Sequence, residues 1–347
     1  MQQGCRQIGG LLIARVFHNW ERRLAAAAEH RVVRPFEWGL EWIDDLDDSH
    51  EDAVERLATW ASRTVATSDS FFALAPCNDY TLDGDRLFFP SAVTTPHPEN
   101  NVVCARYFPD DSERGRTRAV VVLPQWNADA EGHVGLCRLL NRFGISALRL
   151  SLPYHDARMP PELRRADYIV SSNVGRTAQV CRQAVLDARR AIAWLSGQGY
   201  ESIGILGTSL GSCLAMLTAA HEPLVGTAAL NHISPYFADV IWEGLSTIHV
   251  REGLNGRIEL DALRRIWMPI SPFPYLERMR GKKVLLVYAR YDLTFPVTLS
   301  KLLVNEFRRR GVDHEVAVLP CGHYSTGVTP FKWIDGLIVC RFLSRNL

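Results

Sequence analysis

Apolar residues keep a helical period at the start of the chain and turn, from about Leu87 onward, into short β-rich runs separated by helices. Ile13, Val16, Phe17, Trp20 and Leu24 recur at three- and four-residue spacing and lead into four alanines, which predicts a helix over about 11–30. Its other face carries Arg15, Arg22, Arg23 and Arg31. Such a helix packs on a main domain with a solvated basic face, or lies on a membrane surface. A second helix through Val54, Leu57, Ala58 and Ala61 is expected to open at Ser49, because Ser49-His50-Glu51-Asp52 reads as a capping box. Asp44, Asp45, Asp47 and Asp48 precede it, where the helix dipole favours negative charge. From Phe71 to Pro90 the pattern is irregular, with a Leu-Asp-Gly-Asp turn at 82–85.

The β-rich runs then follow in order. Leu87–Phe89 and Val102–Tyr107 read as leading antiparallel strands; Ala119–Leu123, Ala147–Leu150, Ile203–Leu206, Gly226–Leu230, Val284–Tyr288 and Val316–Leu319 come after them. Helical stretches lie between, the clearest over 176–196, where Cys181, Ala184, Val185, Ala188, Ile192 and Leu195 share a face. Another begins at Pro296 and stops at Gly311. Nearly continuous apolar strands alternating with helices predict a mostly parallel sheet covered on both faces. Residues 1–86 are expected to be a helical extension packed on an α/β domain of residues 87–347. After Gly226–Leu230, the sixth strand expected, an insertion of residues 232–280 reads as a lid.

Composition narrows the function classes. The chain has 347 residues, 47% hydrophobic and 22% charged, with a formal net charge of +1. That balance argues against nucleic acid as the main partner. Eight cysteines, at 5, 77, 104, 137, 181, 213, 321 and 340, form no Cys-x-x-Cys pair and sit mostly in apolar runs. They read as small buried hydrophobes in a reduced, cytoplasmic setting, with no zinc spacing and no metal or cofactor expected. The apolar stretch Ile8–Ala14 is short for a secretion signal, and no run approaches the length of a membrane span.

In an open parallel sheet, reacting groups gather at the carboxyl ends of the strands. Those ends carry Pro124-Gln125-Trp126-Asn127, Pro153-Tyr154-His155, Ser209, Asn231-His232, Arg290-Tyr291-Asp292 and Cys321-Gly322-His323. Ser209 stands inside Gly207-Thr208-Ser209-Leu210-Gly211, between an apolar strand and a small-residue helix. That is the context of a nucleophile elbow, in which a Cβ two residues to either side of the strained Ser would collide with the neighbouring strand and helix. Ser, Asp and His then follow in the chain order of one triad type.

On these motifs the chain from about residue 100 to 347 resembles the α/β-hydrolase superfamily over essentially its whole core. Gly207–Gly211 matches the elbow, Tyr291–Pro296 resembles the acid loop, and Gly322-His323 resembles the histidine loop. The resemblance implies Ser209 as nucleophile, His323 as general base and Asp292 as its orienter, with Asp239 the rival acid. It also implies an oxyanion hole from the backbone N–H of Leu210 and a donor at Trp126 or Gln125, although Pro124 and Gln125 stand where the family has His and Gly.

The chemistry follows from the residue types. A Ser hydroxyl needs a base to become a nucleophile near neutral pH, an imidazole can take and return that proton, and a carboxylate holds the imidazole in the correct tautomer. Tyr154, His155, Phe237 and Trp242 are candidates for the substrate pocket. The reading is a serine hydrolase acting on a small-molecule ester, including an acyl lipid. Alternatives are an amidase, peptidase or thioesterase with the same triad, and a catalytically silent binding protein.

Overall fold

In a computed structural model the structure describes residues 2–46, 52–113 and 116–347. One nine-stranded sheet runs through the molecule. Its strands are β1 (Thr81–Asp83), β2 (Arg86–Pro90), β3 (Val102–Phe108), β4 (Arg118–Leu123), β5 (Ser146–Leu150), β6 (Ser202–Thr208), β7 (Val225–Asn231), β8 (Lys283–Ala289) and β9 (His314–Leu319), in the spatial order β1-β2-β3-β5-β4-β6-β7-β8-β9. The pairs from β1 to β5 across β2 and β3 are antiparallel, and all others are parallel.

The helices are α1 (Gln2–Ala26), α2 (Ala53–Ala66), α3 (Ser68–Phe71), α4 (Val134–Asn141), α5 (Val174–Gly197), α6 (Leu210–His221), α7 (Phe237–Glu243), α8 (Ile248–Leu254), α9 (Leu260–Ile266), α10 (Val297–Arg309) and α11 (Phe331–Asn346). Alternation along β4 shows why its run is apolar throughout. Ala119, Val121 and Leu123 enter one core with α5 and α6, while Val120 and Val122 enter the other with α4 and α11. Five of the cysteines, at 137, 181, 213, 321 and 340, are buried and free within these two cores.

The N-terminal segment shares the larger core, since Leu57, Trp60, Ala61 and Phe72 are buried in the same cluster as the sheet. Three local expectations change. The sheet starts at β1, inside the 1–86 extension and in the stretch 71–90 read as irregular, in a hairpin that turns on Gly84 at φ 60°, within the turn expected at 82–85. Every residue of β1 is exposed, so it leaves no apolar signature. Ser49–Glu51, with Asp47 and Asp48, lie outside the described residues; the N-cap seen for α2 is Asp52, whose side chain accepts from the Val54 N–H at 3.2 Å. On α1 the inward face is centred on Glu21 and Ala25, whereas Leu12, Ile13 and Val16 are exposed.

Parallel register aligns the ends that matter. Leu123 pairs with Gly207, Thr208 with Asn231, Asn231 with Val287, and Ala289 with Leu319, so the loops after β4, β6, β7, β8 and β9 open on one edge. Between β7 and β8, helices α7 to α9 and short 3-10 turns pack on α2, α5 and α6. Trp267 is fully buried there and donates to the Val174 carbonyl at 3.0 Å. Among the described residues no helix is long and apolar enough to cross a membrane.

Candidate active site

The turn from β6 to α6 holds Ser209 at φ 57° and ψ −120°, a left-handed region that costs a non-glycine residue free energy. The two glycines of the motif make that turn sterically possible. A Cβ on Gly211 would lie 2.3 Å from the Leu123 carbonyl oxygen, and one on Gly207 would lie 2.1 Å from the Gly211 oxygen. The Ser209 N–H donates to the Asn231 carbonyl at 2.8 Å, which ties the turn to the end of β7.

Three side chains from three loops meet there. Ser209 Oγ lies 3.1 Å from His323 Nε2, and His323 Nδ1 lies 3.0 Å from Asp292 Oδ2. The other carboxylate oxygen accepts the backbone N–H groups of Thr294 at 2.8 Å and Phe295 at 2.7 Å. The Phe295 ring stacks on the His323 imidazole at 5.4 Å and 6°. A carboxylate only accepts, so the Nδ1 atom facing it carries the proton and His323 Nε2 is left to accept from the Ser209 hydroxyl.

A second imidazole shares the carboxylate. His232, held at φ 58° after β7, places Nδ1 2.9 Å from the same Oδ2, and its Nε2 is buried without a partner. Burial pushes the Asp292 carboxyl upward, but its electrostatic attraction to His323 and the hydrogen bonds from both imidazoles outweigh it and hold the group below the ordinary carboxylate range. His232, Asp292 and His323 are also grouped closely enough to hold a metal ion, their ligand atoms lying within 4.8 Å of one another. An ion there would compete with the hydrogen bonds on Asp292.

The histidine loop is braced from α1. Glu21 is fully buried, and its carboxylate accepts from the Tyr324 N–H at 2.8 Å, the Ser325 N–H at 2.9 Å and the Ser325 hydroxyl at 2.7 Å. Gly322 lets the carboxylate close on the loop, since a Cβ there would lie 2.3 Å from Glu21 Cδ and the Glu21 side chain would have to move. Phe17, one turn earlier, stacks on Tyr291 at 4.6 Å, next to Asp292.

Ser209 faces two spaces. A cavity of about 660 Å³ is lined by Ser209, His323, Gln125, Trp126, Arg31 and Arg165 among others. A small apolar recess of about 40 Å³ lies beside it, between Trp126, Leu210, Phe237, Val240 and Phe295. The Trp126 indole N–H is already given to the Ala166 carbonyl at 2.9 Å, so the donor this residue could turn on Ser209 is its backbone N–H. Leu210 opens α6, where its N–H has no partner within the helix.

The remaining predicted residues separate clearly. Phe237 lines the apolar recess. Tyr154, His155 and Trp242 line neither space. Tyr154 is fully buried with its hydroxyl 3.1 Å from His97 Nδ1. His155 accepts the Asn127 N–H at 2.9 Å, and burial holds it down to about 4, so it supports the loop after β4 as a neutral ring. Trp242 packs partly buried against the core, at the end of α7. Asp239 is taken by Arg264 at 2.8 and 2.9 Å.

The site residues that sequence reasoning missed are Glu21, Arg31, Arg165 and the role of His232. His232 was visible as a strand-end residue, Glu21 falls at helical spacing from Phe17 and Leu24, and Arg31 reads only as part of the basic face of the first helix; no pattern marks Arg165.

No family model matches the chain, and no curated protein matches it. Solved structures do. An acetyl xylan esterase from Thermoanaerobacterium is similar over 93% of this chain and 97% of its own, at 12% identity and a TM-score of 0.60. An acylaminoacyl peptidase of Pyrococcus horikoshii is similar over 81% of this chain, at 14% identity and a TM-score of 0.59; this chain spans 43% of its length. Est1E of Butyrivibrio proteoclasticus, with ferulic acid bound, is similar over 71% of this chain and 95% of its own, at 13% identity and a TM-score of 0.51. The order of the strands, the turn that carries Ser209 and these likenesses agree: the chain has the α/β-hydrolase fold.

Proposed function

We propose that the protein is a serine hydrolase that cleaves carboxylic esters through an acyl-enzyme intermediate. The observation that carries this reading is the unbroken hydrogen-bond chain from Ser209 Oγ to His323 to Asp292, at 3.1 and 3.0 Å. His323 Nε2 takes the hydroxyl proton as Oγ bonds to the ester carbonyl carbon, and Asp292 stabilises the imidazolium that forms. Collapse of the tetrahedral intermediate breaks the bond to the alcohol oxygen, which leaves with the proton from His323. Water then repeats the sequence on the acyl-enzyme and releases the acid.

The backbone N–H groups of Leu210 and Trp126 are the donors assigned to the oxyanion, with the Gln125 side chain the alternative in the same wall; losing one such donor costs about 3–4 kcal/mol of transition-state stabilisation. The apolar recess at Leu210 and Phe237 takes the acyl group. Its volume of about 40 Å³ suits a short chain of a few heavy atoms. The alcohol portion then occupies the larger cavity.

An active-site-directed fluorophosphonate is expected to label the wild-type protein and not Ser209→Ala. Equal labelling of both would place the nucleophile elsewhere. Acetyl, butyryl and octanoyl p-nitrophenyl esters, assayed alongside the matching anilides, test bond type and recess depth, with the acetyl ester expected to turn over fastest.

A further inference from the structure

We propose that Arg31 and Arg165 form an anion subsite in the wall of the Ser209 cavity, so that the preferred ester carries a carboxylate or phosphate on its alcohol portion. The proposal rests on the serine-hydrolase reading for the reaction, but the subsite itself stands on the geometry of the wall.

Both arginines line the cavity that holds Ser209 and His323. Arg165 has a side chain 12% exposed and lies over the Trp126 ring at 5.2 Å. Its nearest carboxylate, Asp167, is 3.8 Å away through Oδ1, and Asp167 Oδ2 is already engaged by Arg34 at 3.0 and 3.1 Å. One carboxylate therefore faces two guanidinium groups. Arg31 donates to the Tyr324 hydroxyl at 2.9 Å, a neutral partner, and forms no ion pair among the described residues. Arg165 also donates through Nη1 to the Glu29 carbonyl at 3.4 Å, a neutral partner, and its buried Nε is the atom that faces Asp167.

Other charges around the cavity do not cancel this excess. Lys332 adds a third cationic residue to the lining. Asp335 is the only acidic residue among those lining the space, and it accepts from Asn231 at 2.7 Å. Burial pushes its carboxyl upward, which weakens it as a counter-charge. His249, stacked on Trp126 at 5.6 Å and 5°, is held down to about 4 by burial and then by Arg165 and Arg31, so it stays neutral beside them.

Cationic side chains in a partly dry wall, paired mostly with neutral acceptors and short of carboxylates, bind an anionic ligand group through charge-assisted hydrogen bonds. The small recess at Leu210 and Phe237 is lined by no charged side chain. An anion therefore belongs on the alcohol side of the ester, where the larger cavity lies. Arg31 also gives the segment after α1 a specificity role, since it brings a residue from outside the strand-end loops to the substrate.

The test compares kcat/KM for esters that differ in charge on the alcohol or on the acyl portion. 4-Acetoxybenzoate and 4-acetoxyphenyl phosphate are each measured against methyl 4-acetoxybenzoate, and p-nitrophenyl hemisuccinate against p-nitrophenyl butyrate. Wild type is expected to favour the alcohol-side anions at least tenfold after correction for spontaneous hydrolysis, the two probes separating carboxylate from phosphate. Arg31→Gln and Arg165→Gln should each lower that ratio about tenfold, and Arg31→Lys should restore part of it. A ratio unchanged in both Gln variants overturns the subsite; a preference confined to the hemisuccinate overturns its placement.

Calorimetric binding of 4-hydroxybenzoate and of inorganic phosphate to Ser209→Ala reads the subsite without turnover. The expected result is a Kd about tenfold weaker when Arg31→Gln is added. Equal Kd values would overturn the proposal even in a protein that hydrolyses esters. Absent fluorophosphonate labelling with a retained Arg31 dependence would overturn the reaction and leave the subsite standing.

Discussion

His232 and His323 direct their Nδ1 atoms at one oxygen, Asp292 Oδ2, from 2.9 and 3.0 Å. With two backbone N–H groups on Oδ1, the carboxylate accepts four hydrogen bonds while almost fully buried. A buried charge of this kind is tolerated because every bond to it is charge-assisted.

The shared oxygen gives Asp292 and His232 different expected costs. Asp292→Asn presents an amide that disturbs the tautomer of His323, and kcat should fall about 10⁴-fold, as in other triads. His232→Leu leaves the carboxylate ionised but removes one donor; a lost hydrogen bond to a charged group costs about 1.5–3 kcal/mol, and kcat should fall at least about tenfold with KM little changed. Steady-state kinetics on an activated ester check both. A near-normal rate for Asp292→Asn would remove it from the mechanism.

Glu21 couples the first helix to the histidine loop. Glu21→Ala strands two backbone N–H groups and a hydroxyl in a buried place, for a cost of about 2–3 kcal/mol in urea unfolding together with a loss of kcat. Glu21→Gln keeps an acceptor oxygen and should lose less of each. If Glu21→Ala unfolds at the wild-type urea midpoint, the brace carries no weight.

Gly211 should tolerate no side chain. Gly211→Ala drives a Cβ to 2.3 Å from the Leu123 carbonyl oxygen and 2.5 Å from that of Pro124, and backbone atoms leave little room to yield. The expected outcome is at least about 1–3 kcal/mol of destabilisation, and a loss of fluorophosphonate labelling larger than that stability change explains. Labelling at the wild-type rate would show that the elbow relaxes freely.

Acid should weaken the fold well before carboxylates titrate. His155, His221 and His249 are buried, and burial holds each down to about 4. The unfolded chain binds their protons below about pH 6.5, while the folded protein does not until about pH 4, so stability falls as pH drops through that window. Each proton contributes a slope of up to about 1.4 kcal/mol per pH unit. Urea unfolding between pH 7 and 4.5 reads the sum, and His221→Gln should make the dependence shallower. A flat profile would mean that these rings are protonated in the fold.

Much of this molecule was legible along the chain. Strands β2 to β9 announce themselves as apolar runs because helices cover both faces of most of them, and Gly207 and Gly211 mark the elbow because close backbone approach excludes a Cβ. The fully exposed β1 left no such mark. Ile13 and Val16, expected to face inward, are exposed because the inward face of α1 is set by the loop it braces, through Glu21. Tyr154 and His155 sit at a strand end as expected but turn into the protein, where His155 holds the Asn127 backbone.

Local pattern thus determined the succession of strands and helices along the chain and the elbow at Ser209, because periodicity and steric limits act between residues near in sequence; Asp292 and His323 stood at strand ends and were singled out by the resemblance of their loops. Only the tertiary structure decided that Glu21 reaches a loop some three hundred residues away, that His232 joins His323 on one carboxylate, and that Arg31 and Arg165 share a wall. Hydrogen bonds and charges act through space, over a few ångströms, between segments whose meeting depends on the packing of the whole chain.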